Sequence, residues 1–284
     1  ALPSLSGSAI CDSKAITPSR PGLKSSDMLQ FCTVRGGADD HQSRNSLEGD
    51  AEVKVRFDTS MSELDREAIR AMRRSYGEVG LENLPADPFA AFNTWLHEAA
   101  ANAVIVEANA MVLSTLGQSA NGAEEHISTR TVLLKDVSEG GFTFFTNYSS
   151  RKAQAMELNS QVTLLFPWYA MERQVSISGF AEKISESESA EYFATRPWSS
   201  QIGAWASAQS SPLSSREELE QRFAGASEKW PEGTTVPKPP HWGGYRVTPI
   251  SIEFWQGRYS RLHDRLRYER ANSETEWEIT RYYP

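Results

Sequence analysis

Between residues 110 and 184 the chain repeats one pattern: short β-type runs, each ended by Gly, Asn or Ser. The runs are Ala110–Leu116, His126–Val137, Gly141–Thr146, Gln161–Trp168 and Arg173–Ile184, the last alternating Val175 and Ile177 with Ser176 and Ser178. Segments this short hide their apolar faces by pairing side by side, so the middle of the chain is expected to form an antiparallel sheet that curls into a barrel. Helical patterns flank it. Ser62-Glu63-Leu64-Asp65 places a cap and first-turn acids at the start of a helix running towards Arg74. Asp87-Pro88 opens a second helix, with Phe89, Phe92, Leu96 and Ala99 on one apolar face. Further helices are expected over Ser187–Thr195, Ser200–Ala208 and Ser214–Lys229. A Pro-rich linker, Val236–Pro240, then leads to a last strand pair, Gly244–Gln256 and Leu262–Glu269. The predicted class is α+β, a barrel with peripheral helices.

The 284 residues carry a formal net charge of -8, a poor balance for binding nucleic acid, which draws on accumulated Lys and Arg. No apolar run approaches the ~20 residues that span a bilayer. The two cysteines, Cys11 and Cys32, both lie near the N-terminus, which excludes a disulfide framework for the core and a cysteine-rich metal site. Residues 1–60 are read apart from a single domain over 61–284. Ala1 to Gly37 is rich in Ser, Pro and Gly and lacks periodicity, which fits a disordered tail or the remnant of a transit peptide. The expected compartment is the cytoplasm, with a plastid or mitochondrion as the alternative under the second reading.

Nucleotide loops of the G-x-G-x-x-G and G-x-x-x-x-G-K-[ST] types are absent, as are H-E-x-x-H and C-x-x-C, and no His pair has ligand spacing. No metal is expected. What stands out is a set of cations beside strands. Arg130-Thr131-Val132-Leu133-Leu134-Lys135 carries two on a largely apolar run, where each needs an anion or solvent. By two-residue alternation Arg130, Val132 and Leu134 face one way and Thr131, Leu133 and Lys135 the other. Phe144-Phe145-Thr146-Asn147 leads into Ser149-Ser150-Arg151-Lys152, where basic residues oppose the dipole of a helix N-terminus unless an anion sits there. Tyr192 and Arg196 share a helix face, Pro197 ends that helix, and Ser199 or Ser200 is expected to cap the next. Arg261, His263 and Arg265 alternate on what looks like one strand. For each segment a solvated surface is the competing reading.

Taken together these stretches resemble the pyridoxamine/pyridoxine 5′-phosphate oxidase family. The shared stretches are RTVLLK at Arg130–Lys135, FFTN at Phe144–Asn147 with SRK at Ser150–Lys152, and ERQV at Glu172–Val175. They continue with YFATRPWSSQIGA at Tyr192–Ala204, Gln209-Ser210-Ser211, Trp242-Gly243-Gly244 and EFWQG…RLHDR at Glu253–Arg265. The likeness runs from about Met72 to Pro284, and the RPWSSQIGA and RLHDR segments separate this family from broader flavin-binding split barrels. The tail lies outside it, and residues between Gly117 and Ile127 look irregular.

The resemblance implies a homodimeric split β-barrel that binds FMN at the subunit interface. It would use O2 to oxidise pyridoxine or pyridoxamine 5′-phosphate. Carried onto this chain, the FMN contacts are Arg130, Thr131, Val132, Leu133, Phe145, Thr146, Arg151, Lys152, Gln174, Gln209, Ser210, Trp255 and Arg265. Lys135, Tyr192, Arg196 and Ser200 would hold the substrate phosphate. Arg261 and His263, the implied catalytic pair, would lie with Leu262 over the substrate ring. Arg73, Arg74, Ser75 and Tyr76 match a segment that folds over it. A flavin- or pyridoxal-phosphate-carrying protein without turnover, and a split-barrel reductase with another flavin, are the rival readings. The first has no need of Arg261 with His263, the second none of Tyr192, Arg196 and Ser200.

Overall fold

The computed structural model describes residues 75–118, 125–138 and 140–284. The tail over 1–60, the helix expected from Ser62 towards Arg74, and Arg73 and Arg74 themselves lie outside the described residues. Among those described, no helix is long and apolar enough to cross a membrane.

The first helix among the described residues, α1 (Pro88–Ala101), starts as its sequence dictates. The Asp87 carboxylate accepts from the N–H groups of Phe89 and Ala90 at 3.0 and 3.2 Å, and Pro88 occupies the first turn, where no N–H is needed. Its buried face carries Phe92, Trp95 and Ala99, with Phe89 and Leu96 packed alongside. The strands are β1 (Ala110–Gln118), β2 (Glu125–Leu133), β3 (Asp136–Ser138), β4 (Gly141–Asn147), β5 (Gln161–Trp168), β6 (Arg173–Lys183), β7 (Trp242–Gln256), β8 (Asp264–Glu269) and β9 (Glu278–Tyr282). Helix α2 (Arg151–Leu158) follows β4. After β6 come α3 (Glu186–Thr195), α4 (Trp198–Ala206) and α5 (Arg216–Lys229).

All pairings are antiparallel in one nine-stranded sheet ordered β2-β1-β5-β6-β7-β4-β3, with β8 on β7 and β9 on β8. Among the described residues the path ends at β2 and β3 without a pairing that joins them, so the sheet expected to curl into a barrel is not closed by strand pairing. β7 organises it. Along one side β7 pairs with β6. Along the other its first half pairs with β4, Trp242–Val247, and its second half with β8, Ser251–Gln256. Alternating positions of β1, β5, β6 and β7 face the core with α1, including Met111, Leu113, Leu164, Phe166, Ile177 and Phe254. A smaller apolar cluster of Phe193, Ile202, Val236 and Trp242 holds α3 and α4 to the end of the sheet.

Three local expectations are corrected. The expected run His126–Val137 is broken after Leu133, because the Leu134 N–H donates to the Asn109 carbonyl and the Lys135 N–H to the Thr143 carbonyl, placing Lys135 between β2 and β3. Neither Ser199 nor Ser200 caps α4: the helix begins at Trp198 straight after Pro197, with no side-chain cap. Arg261, His263 and Arg265 do not share a strand, since β8 starts at Asp264 and Arg261 closes a tight turn at φ 61°. The terminal strand β9 has no counterpart among the expected elements.

Candidate active site

A cavity of about 990 Å³ opens where β2, the end of β4, the start of α2 and the α3–α4 break come together. It gathers Arg130, Thr131, Val132, Leu133, Lys135, Phe145, Thr146, Arg151, Lys152, Tyr192, Arg196, Ser200, Gln209 and Ser210. Arg130, Lys135, Arg151, Lys152 and Arg196 bring positive charge, and no Asp or Glu is among the lining residues. None of these cations is ion-paired with a carboxylate among the described residues, whereas Arg246, Arg258, Arg265, Arg267 and Arg281 all are. Unbalanced charge of one sign in a concave, partly desolvated space favours an anionic ligand.

Each cation is positioned by its element. Arg130 reaches over β1, donating from Nη1 to the Leu113 carbonyl at 3.1 Å and the Thr115 hydroxyl at 2.9 Å, and from Nη2 to Ser128. Burial, and then the charge of Arg151, lowers its pKa. Lys152 sits in the first turn of α2 and is 7% exposed. Its Nζ donates to Thr146 Oγ1 at 3.1 Å, Gln209 Oε1 at 3.2 Å and Ser150 Oγ at 3.4 Å, all neutral acceptors. Desolvation, and then nearby Arg130, pulls its pKa down to about 8. Gln209 comes from the loop after α4 and is drawn in by the same polar knot, accepting from the Thr146 hydroxyl at 3.0 Å and the Asn147 N–H at 3.3 Å.

The α3–α4 break supplies the facing wall. Ser185 and Glu188 form a reciprocal capping box at the start of α3. Arg196 ends the helix at φ -72° and ψ 147°, the extended geometry that Pro197 imposes on the residue before it. Its guanidinium lies 4.7 Å from the Trp242 ring centre, and burial lowers its pKa. Its Nη1 is buried with no hydrogen-bond partner among the described residues. Phe145, Tyr192 and Trp242 stack in parallel beside it, with Phe145 and Tyr192 centroids 3.9 Å apart. Helix α4 then turns Ser200, Gly203, Ala204 and Ser207 towards the cavity at helical spacing.

Ser128, Thr129, Asn147, Thr195, Pro197, Gly203, Ala204, Ser207 and Trp242 also line the cavity and were not among the expected site residues, although several fall in the shared stretches. The spacing of 200, 203, 204 and 207 was the signal available for the α4 set. Residues 128–133 all line it in succession, from both faces of β2. Since β2 ends the sheet path, a ligand here meets the strand along its edge, where alternation does not select one face.

The remaining expected residues form a second group that does not line this cavity. Gln174, Trp255 and Arg265 occupy one cross-strand row through β6, β7 and β8. Trp255 lies 4.7 Å from the His263 ring, and Tyr76 meets both edge-on at 5.9 and 5.3 Å. Arg265 is held by Glu253 through Nε and Nη2, each at 2.9 Å. Ser75, Arg261 and Leu262 are exposed.

Residues 97–229 match the family described as pyridoxamine 5′-phosphate oxidase, and residues 242–284 match the pyridoxine 5′-phosphate oxidase C-terminal dimerisation region. The chain is similar to pyridoxine/pyridoxamine 5′-phosphate oxidase of Streptomyces avermitilis, with 47% identity over 228 residues, 78% of this chain and 99% of that protein. Similarity to the protein of the same description in Burkholderia cenocepacia is 50% over 216 residues, 75% of this chain and 97% of the relative. Among solved structures, PhzG from Burkholderia lata, crystallised with tetrahydrophenazine-1-carboxylic acid, superposes with a TM-score of 0.66 at 30% identity, covering 74% of this chain and 100% of PhzG. A pyridoxamine 5′-phosphate oxidase-related, FMN-binding protein from Nostoc punctiforme gives a TM-score of 0.55 at 16% identity, over 72% of this chain and 100% of its own, a likeness of fold alone.

Proposed function

The chain belongs to the pyridoxamine 5′-phosphate oxidase family, and we propose that it uses FMN to oxidise pyridoxine or pyridoxamine 5′-phosphate to pyridoxal 5′-phosphate. O2 is the final acceptor and leaves as hydrogen peroxide; the amine substrate also takes up water and releases ammonia. The observation that carries this reading is the acid-free cavity with its unpaired cations. FMN and the substrate each bring a phosphate. Lys152, buried among neutral acceptors, and Arg196, with a buried and unpartnered Nη1, are the groups such anions would complete. When bound, the flavin supplies the redox chemistry, taking two electrons from the substrate and passing them to O2.

The protein's part is binding and orientation. Arg130, Arg151 and Lys152, with the hydroxyl and amide groups of Thr146, Gln209 and Ser210, hold the cofactor along the β2 edge. Lys135, Tyr192, Arg196 and Ser200 anchor the substrate phosphate. An anchor remote from the reacting carbon fixes geometry and removes much of the entropic barrier. Arg261 and His263 orient the ring. They reach it in a homodimer of split barrels, where the row Gln174–Trp255–Arg265 and the Arg261–His263 turn of one subunit cover the cavity of the other. Most of this second group lies within the segment matched to a dimerisation region, which supports that assembly. The domain over 61–284 carries the activity, and residues 1–60 contribute no group to it.

The test is direct. Purified protein should be yellow, release FMN on denaturation, and form hydrogen peroxide and pyridoxal 5′-phosphate in equal amounts from pyridoxine 5′-phosphate. Protein that binds FMN yet gives no aldehyde would leave the flavin-carrier reading in its place.

A further inference from the structure

His263 sits in a cradle that decides which of its nitrogens carries the proton. The turn from Gly257 to Asp264 folds back so that the Arg258 backbone N–H donates to His263 Nδ1 at 3.0 Å. A backbone N–H is only ever a donor, so Nδ1 must present its lone pair and a neutral ring must carry hydrogen on Nε2. Flipping the ring would set a C–H against the same N–H and leave the amide without an acceptor.

The cradle is tied down on several sides. Trp255 and Tyr76 flank the ring at 4.7 and 5.3 Å. Tyr76 in turn packs so closely on Gly257 that a Cβ there would lie 2.7 Å from its ring. The arm that carries Tyr76 is pinned by Tyr259 N–H to the Gly77 carbonyl at 2.9 Å and by Gly77 N–H to Glu172 Oε2 at 2.9 Å. Asp264 closes the far side: its Oδ2 accepts from Leu81 N–H at 3.0 Å and Arg258 Nη1 at 3.2 Å, and its Oδ1 accepts from Arg281. That carboxylate is engaged elsewhere, and desolvation, followed by the charge of Arg261, lowers the imidazole pKa.

We infer that His263 serves the oxidase reaction as a fixed hydrogen-bond donor through Nε2–H, holding a proton on the substrate side and not removing one, with the Arg258 backbone N–H as the group that sets this tautomer. The inference rests on the proposed placement of His263 over the substrate ring, but the tautomer does not. An imidazolium would turn a second N–H against the Arg258 N–H, so the cradle rejects the protonated ring.

Two measurements on the FMN-loaded full chain test it. Heteronuclear NMR of nitrogen-labelled histidine rings should show His263 neutral and protonated at Nε2 at neutral pH; an Nδ1–H tautomer or an imidazolium overturns the inference. In turnover, His263→Gln keeps a donor the same number of bonds from Cβ, while His263→Asn keeps the acceptor facing Arg258 but holds its amide N–H one bond short of the Nε2 position. The Gln variant should hold kcat within about tenfold of wild type and the Asn variant lose about a hundredfold, the range for a lost transition-state donor. Equal loss in both variants, with FMN content unchanged, would show a proton acceptor and overturn the donor role. Wild-type protein without peroxide release would instead sink the proposed activity and leave the NMR result standing.

Discussion

At the scale of single residues, the site depends on cations kept from neutralising partners. Lys152 shows what this costs: burial among hydroxyl and amide acceptors lowers its pKa from 10.5 to about 8. A bound phosphate dianion favours the charged amine and raises that pKa again. The sign follows. Below about pH 8 the free protein already holds the proton and FMN affinity should be flat; above it, binding must take up a proton and should weaken by up to about tenfold per pH unit. Flavin fluorescence titrations from about pH 7 to about pH 10 would read this slope, and Lys152→Met should abolish it. Arg196 gives a second prediction. Its guanidinium is held over Trp242 with Nη1 buried and unpartnered. Arg196→Met keeps much of the packing and removes the charge, so KM for pyridoxine 5′-phosphate should rise by roughly 10–100-fold, the loss of one charge-assisted anchor of about 1.5–3 kcal/mol. FMN content should not change; a fall would place Arg196 at the cofactor.

At the scale of elements, β7 is the strand on which the arrangement turns. It hands its pairing from β4 to β8 across Thr248, Pro249 and Ile250, and the register with β6 shifts between Ser178 and Gly179 at the same level. Pro249 has no N–H to give the ladder, which makes an irregularity there the natural outcome. Gly179 is the residue that allows it. A Cβ would sit 2.2 Å from the Thr248 carbonyl oxygen and 2.9 Å from Pro249 Cα, both backbone atoms that cannot swing away. Gly179→Ala should lower the thermal midpoint by roughly 2–10 °C through overpacking. An unchanged midpoint by calorimetry would mean that the strands separate there without strain. The β7 hand-over also explains the two groups of candidate residues. The β4 half leads to the cavity, whereas the β8 half carries Trp255, Arg265 and the turn with His263.

At the scale of the whole molecule, the Arg261–His263 turn is not among the residues that line the cation-rich cavity of its own protomer, and the proposed function brings the two together in a homodimer. Mixing two inactive variants tests this. Lys152→Met damages the cavity and Arg261→Met the turn. In a dimer whose sites are shared, a mixed pair contains one site free of both changes. After subunit exchange, activity should return to roughly a quarter of the wild-type level, because random pairing makes half the dimers mixed and each has one intact site. No recovery, with exchange shown independently, would place both groups in the same protomer.

Much of this was legible in the chain before folding. The strand runs, the Asp87-Pro88 start, the extended Arg196 before Pro197 and the basic start of α2 are local events, set by side-chain period, capping and ring constraint within a few residues. Other features were not legible because they depend on partners far along the chain. The break after Leu133 comes from Asn109 and Thr143 claiming backbone groups at either end of it. Asp264 shows nothing in sequence of its ties to Leu81 and Arg281. The spacing of Arg261, His263 and Arg265 suggested one strand face, yet the Tyr259–Arg261 turn separates them. Residue type and local pattern thus settled most of the elements, though not β9 or the break between β2 and β3, and that the cations beside them need anions or solvent. Which cations share a cavity and which are neutralised by a carboxylate were decided only when distant segments met, because charge pairing and hydrogen bonding act over a few ångströms of space, whatever the separation along the chain.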